Sequence, residues 1–118
     1  MSSSSEIVTV DFTPDSLMLK TAFDAPLELN NTGDRVKLIV DLGGVIANNV
    51  ADLVKCRPDA VVFDITTAGK TPYGAYIDAS FWLCLAPNNN LVAGDVLTVS
   101  AKAVADDTLT ASLDFTIV

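Results

Sequence analysis

Residues 97–117 read LTVSAKAVADDTLTASLDFTI, and this stretch decides the fold. Leu97, Val99, Ala101 and Ala103 alternate with Thr98, Ser100 and Lys102. Beyond Asp106-Asp107, Leu109, Ala111, Leu113, Phe115 and Ile117 alternate with Thr110, Ser112, Asp114 and Thr116. A period of two sends successive side chains to opposite faces of a strand. Two such runs joined by a short acidic turn predict a β-hairpin.

Upstream, Ala75 to Ala86 is apolar on both parities, through Tyr76, Ile77, Phe81, Trp82, Leu83, Cys84 and Leu85. Such a run predicts a central strand with both faces covered, one by the core and the other by core or an interface. Pro87-Asn88-Asn89-Asn90 ends it. Residues 60–66 alternate through Val61, Phe63 and Ile65, and the loop that follows carries Gly69, Pro72 and Gly74. Arg35 to Leu42 is a strand with Val36, Leu38 and Val40 inward and Lys37 and Asp41 outward; Ile39 on the outer parity suggests cover on that side too. Pro26 to Asn30 is a short strand with Leu27 and Leu29 inward. Leu17 to Lys20 is another, and Val8, Val10 and Phe12 share a face of a first strand.

Residues 45–55 are the ambiguous segment. Ile46, Val50 and Leu53 fit helical spacing, and Asn48-Asn49 weakens it. A short helix or helical turn across the end of the sandwich is expected. The whole pattern predicts an all-β fold: a single immunoglobulin-like Greek-key sandwich of about 7–9 strands. Residues 1–5 form a polar arm, and residues 6–118 form one domain.

Composition agrees. Half of the 118 residues are hydrophobic, which suits a packed core. All the acidic residues except Glu6 and Glu28 are Asp, the acid of turns. A net charge of −8 argues against nucleic acid and anionic membranes as partners. With no histidine, the commonest general base and metal ligand is missing, and with it the serine and cysteine triads. No apolar run reaches membrane-spanning length. Residues 1–6 lack the basic and apolar regions of a signal peptide, so cytoplasmic synthesis is expected. Cys56 and Cys84 are read as buried thiols, with a bridge between the sheets as the alternative.

Residues 88–118, NNNLVAGDVLTVSAKAVADDTLTASLDFTIV, resemble the last two strands of immunoglobulin-like domains in bacterial surface proteins and phage virion proteins. Gly94, Asp95, Leu97, Val99, Ala101, Leu113, Phe115 and Ile117 carry the match. The resemblance implies a non-enzymatic structural or interaction module on a virion or cell surface, such as a phage decoration or accessory protein. An antibody-type core is absent, because Trp82 precedes Cys84 by two residues and does not lie midway between the cysteines.

The candidate interaction residues are Tyr73, Tyr76 and Trp82, since Tyr and Trp dominate binding hot spots. A protein partner or self-assembly is the first expectation. A carbohydrate stacked on an exposed aromatic face is the alternative, and plain core packing competes with both. Asp24, Asp34, Asp95, Asp106 and Asp107 lie in turns where oxygen ligands could meet calcium, yet no EF-hand spacing is present. No motif implies a cofactor. Lys70-Thr71 after Gly69 is not a phosphate loop, and Asn30-Asn31-Thr32 is a glycosylation sequon that matters only on a eukaryotic secretory route.

Overall fold

The computed structural model describes residues 14–53 and 60–118. The expected strand through Val8, Val10 and Phe12, the polar arm 1–5, and Cys56 lie outside the described residues. In chain order the elements are β1 (Leu17–Thr21), a 3-10 turn (Ala22–Asp24), β2 (Glu28–Leu29), β3 (Arg35–Leu42), β4 (Val45–Ala47), the one-turn helix α1 (Val50–Leu53), β5 (Val61–Thr67), β6 (Ala75–Ile77), β7 (Trp82–Leu85), β8 (Val96–Ala103) and β9 (Thr110–Ile117).

The all-β expectation holds. One sheet runs β1-β3-β7-β6, with β4 also paired to β3; the other runs β2-β9-β8-β5. The strand order corresponds to the ABED and CFG sheets of an immunoglobulin-type sandwich, with β2 added parallel to β9. The hairpin at 97–117 forms in full, from Val96 opposite Thr116 to Lys102 opposite Thr110. Its apolar parity faces inward: Leu97, Val99, Ala101, Phe115 and Ile117 are buried against Leu38, Val40, Leu42 and Leu83 of the other sheet. Each large side chain so removed from water contributes about 1.5–3 kcal/mol.

The short helix expected within residues 45–55 forms as the single turn Val50–Leu53, and two further expectations are corrected. The start of that segment is a strand, β4, and not part of the helix. Gly43 and Gly44, both with positive φ, turn the chain back so that Ala47 pairs with Val40. Ile46 and Val50, expected inward, are exposed, while Ala47 and Leu53 are buried. The asparagines expected to weaken the helix begin it. Asn49 Oδ1 accepts the Asp52 N–H at 2.9 Å, and Asp52 Oδ2 accepts the Asn48 N–H at 2.9 Å. This is the reciprocal logic of an N-terminal cap.

Residues 75–86 are not one strand. Asp78 Oδ1 accepts the N–H groups of Ser80 at 2.9 Å and Trp82 at 3.0 Å, and the Phe81 N–H reaches the Asp78 carbonyl at 3.0 Å. The run therefore folds into the β6–β7 hairpin. Phe81 sits at the left-handed position, φ 58°, and its ring is buried edge-on to Phe63 at 5.3 Å. Lastly, the strand expected at 26–30 shortens to Glu28–Leu29 and leaves Leu27 exposed. Leu27 still lends its carbonyl to the Thr116 N–H at 3.0 Å.

Candidate interaction face

Strand parity fixes what the β1-β3-β7-β6 sheet shows to solvent. On β3 the inward set is Val36, Leu38, Val40 and Leu42, so Arg35, Lys37, Ile39 and Asp41 point out. Register then brings Met18 beside Asp41, Lys20 beside Ile39, Trp82 beside Lys37, and Cys84 beside both Arg35 and Tyr76. Ile46 of β4 lies beside Asp41 on the same face. The result is an outer face with an apolar band and three cations, Lys20, Arg35 and Lys37, against the single strand carboxylate Asp41.

Two of the three residues singled out from sequence meet here. Tyr76 and Trp82 are diagonal neighbours across β6 and β7, about 7–8 Å apart in such a ladder. Tyr76 is 53% exposed and Trp82 is half-buried. The Arg35 guanidinium lies 4.3 Å from the Trp82 ring centre, a cation–π contact that holds the charge over the indole. The Lys37 ammonium donates to the carbonyls of Asn48 and Ser80, tying β3 to the α1 entry and the β6–β7 turn. Phe81, which the sequence grouped with these aromatics, belongs to the core at 1% exposure.

Tyr73 stands apart. It is 59% exposed, but its backbone N–H donates to Asn90 Oδ1 at 2.8 Å, and its hydroxyl meets the Asn88 amide at 3.4 Å. The asparagines after β7 thus knit loops together. Asn89 Nδ2 donates to the Asn31 and Ala86 carbonyls, Asn90 Nδ2 donates to the Thr71 carbonyl, and Asn31 Nδ2 donates to the Leu91 carbonyl. Lys70 completes the knot, bonding the Asn90 carbonyl and pairing with Asp95 at 2.7 Å.

Cys84 is, among the described residues, a free thiol half-buried between Tyr76 and Arg35. Burial and the nearby Asp78 charge push its pKa up; the Tyr76 hydroxyl and Arg35 pull partly the other way. A thiol held protonated is a poor nucleophile. Tyr76 is pushed up in turn, first by the charge that Cys84 would carry.

The aspartates considered for calcium are not brought together. Asp34 and Asp95 lie at the end where β3 and β8 begin, Asp106 and Asp107 in the β8–β9 turn at the other end, and Asp24 after β1. Asp34 caps the Asn30 and Arg35 N–H groups, and Asp106 accepts the Thr108 N–H and hydroxyl. Among the described residues no group of three or more acidic, Cys or His side chains could hold a metal. No described helix is long and apolar enough to cross a membrane.

Phe23 was not read from the sequence as a candidate. It is wholly exposed, 101% by relative area, and occupies left-handed backbone at φ 56°, followed by Asp24 at φ 52°. Its only sequence signal is an aromatic residue in an Asp-Ala-Pro loop rather than in an alternating run.

No protein-family model matches the chain, and no curated protein matches it.

Proposed function

We propose that the chain is a non-enzymatic structural or interaction module of immunoglobulin-like type, a building block of a virion or cell surface that docks through aromatic anchors. The observation that carries this reading is Phe23. A large apolar ring held fully in water on left-handed backbone contributes nothing to folding and costs about 1 kcal/mol or more. Such a residue fits a surface that is covered by a partner. Tyr76, exposed near the Arg35–Trp82 pair, and Met18 and Ile46, exposed beside Asp41 toward the other end of β3, extend the same logic to the outer sheet face. The resemblance of residues 88–118 to surface and virion domains supports the setting.

Carbohydrate binding is the second reading, favoured by the exposure of Tyr73 beside Asn88 and Asn90. It ranks lower because both ends of the Asn90 amide are already bonded within the protein, leaving little to grip a sugar. The test is sedimentation velocity over a wide concentration range, with a glycan array, on the wild type, Phe23→Ser and Tyr76→Ser. Association weakened by either substitution supports the module. A monomer at every concentration that binds glycan, and loses it on Tyr73→Ala, overturns it in favour of the sugar reading.

A further inference from the structure

The two outer faces of the sandwich carry opposite charge. Among the described strand residues of the β1-β3-β7-β6 sheet, Lys20, Arg35 and Lys37 oppose Asp41, with Asp78 of the β6–β7 turn beside Tyr76 and Cys84 at its edge. Among the described strand residues of the β2-β9-β8-β5 sheet, Glu28, Asp64 and Asp114 oppose Lys102. The same parity argument places these four outward, since Leu29, Phe63, Phe115 and Ala101 point into the core or pack against it. The rest of the acidic face is mainly hydroxyls, Thr66, Thr98, Ser100, Thr110, Ser112 and Thr116, with Val62 and Val96 exposed among them. A groove of about 720 Å³ crosses it, with exposed Val62 and Asp64 on one side, Ser100 and Lys102 along the middle, and Thr110 and Ser112 on the other. The basic face is the aromatic one, and its apolar band can seat in that groove.

We propose that the chain stacks on copies of itself, the basic aromatic face of one molecule against the acidic groove face of the next. This rests on the interaction-module reading and names its partner as a second copy. Charge complementarity selects the pairing: like faces would oppose like charge, whereas unlike faces oppose Lys20 and Arg35 to Asp64 and Asp114. Because the two faces lie back to back, the contact is heterologous and does not close on itself. It produces an open row of molecules with a repeat of about 20 Å, one sandwich plus one interface at roughly 10 Å per packed layer.

The test uses two double variants at exposed positions: Lys20→Glu with Arg35→Glu on the basic face, and Asp64→Lys with Asp114→Lys on the acidic face. Circular dichroism and a melting curve first establish that each folds. The wild type is expected to give a concentration-dependent ladder of masses that weakens as salt rises. Each double variant alone should associate at least about tenfold more weakly, since reversed charges repel across the contact. An equimolar mixture should recover association, the two variants alternating along the row, because each keeps the face the other has lost and their two reversed faces again oppose unlike charge. A wild type that stays monomeric overturns the proposal. So does a mixture in which the two variants do not co-associate, or a basic-face variant that associates as the wild type does. Association that is lost in Phe23→Ser yet untouched by both charge reversals overturns the stacking and leaves the module reading standing.

Discussion

Phe23 and Phe81 share a backbone problem and have opposite surroundings. Both lie in left-handed conformation, at φ 56° and 58°, where a β-carbon costs about 1 kcal/mol or more. Phe81 recovers that cost many times over, because its ring is buried at 1% exposure and meets Phe63 edge-on. Phe23 has nothing to recover it with. Replacement by glycine separates the two cases. Phe23→Gly should be neutral or stabilising by up to about 1 kcal/mol, since only strain is removed. Phe81→Gly should destabilise by about 2–4 kcal/mol: a large aromatic truncation costs about 3–5, less the relieved strain. Phe81→Ala, which keeps the strain, should be no more stable than Phe81→Gly, the reverse of the usual order within a strand. Urea denaturation of the three variants reads all these signs. A destabilised Phe23→Gly would remove the argument that this ring is kept for something other than folding.

At the scale of elements, the loops after β7 and before β6 are locked by one close approach. A β-carbon at Gly74 would lie 2.8 Å from the Asn89 Cα, and Gly74 has φ 80°. Backbone on both sides leaves no flexible group to give way. Gly74→Ala should therefore cost about 2–3 kcal/mol, more than the strain alone, and should loosen the Asn89 and Asn90 bonds. Amide exchange at Leu91, whose N–H is held by Asn89 Oδ1, checks it: protection there should fall before protection in β8 does. This level also decides what was legible in the sequence. The 97–117 hairpin was readable because each strand is polar on one face and apolar on the other, so period two shows directly in the letters. The β6–β7 hairpin was not, because β7 is a central strand and Phe81 fills a turn position where glycine is the usual signal. Asp78 carries the closure, and an Asp-Ala-Ser step was its only trace. In the 45–55 segment the short helix was legible but its start was not: a diglycine turn and a strand of three residues can imitate part of a helical stripe. Tyr76 and Trp82 were legible as aromatics, but their shared face follows from register, which local pattern does not encode. Phe23 was invisible as a candidate because exposure in a loop leaves no periodic mark.

At the scale of the whole molecule, the titrating groups set the pH range of stability, and their signs can be worked out. Asp106 is held below the ordinary carboxylate value, first by the Thr108 hydroxyl and then by its N–H; Asp95 is lowered first by Lys70 and then by the Val92 N–H. A lowered folded-state pKa means that the unfolded chain binds protons first as pH falls. These contributions are thus complete above the ordinary carboxylate range and are lost on descent through the lowered values. Cys84 and Tyr76 are raised, chiefly by burial for the first and by the neighbouring thiolate charge for the second. Here the folded state keeps its protons longer, so stability is complete below the ordinary thiol and phenol values and falls as pH rises past them. With no histidine in the chain, no side chain has its ordinary pKa between the two regions. The melting temperature should therefore show a flat plateau around neutral pH, with an acid edge and an alkaline edge. The acid edge also contains a global term, because protonation relieves the self-repulsion of a chain at −8. Asp106→Asn separates the two: it changes the net charge by one and removes the local carboxylate. The difference in melting temperature between wild type and Asp106→Asn should be constant across the plateau and shrink as pH falls through the carboxylate range. Cys84→Ala should likewise differ from wild type by an amount that changes only above the thiol range. A difference that stays constant across the whole acid limb would show that Asp106 is not held by its turn, and that net charge alone governs acid stability.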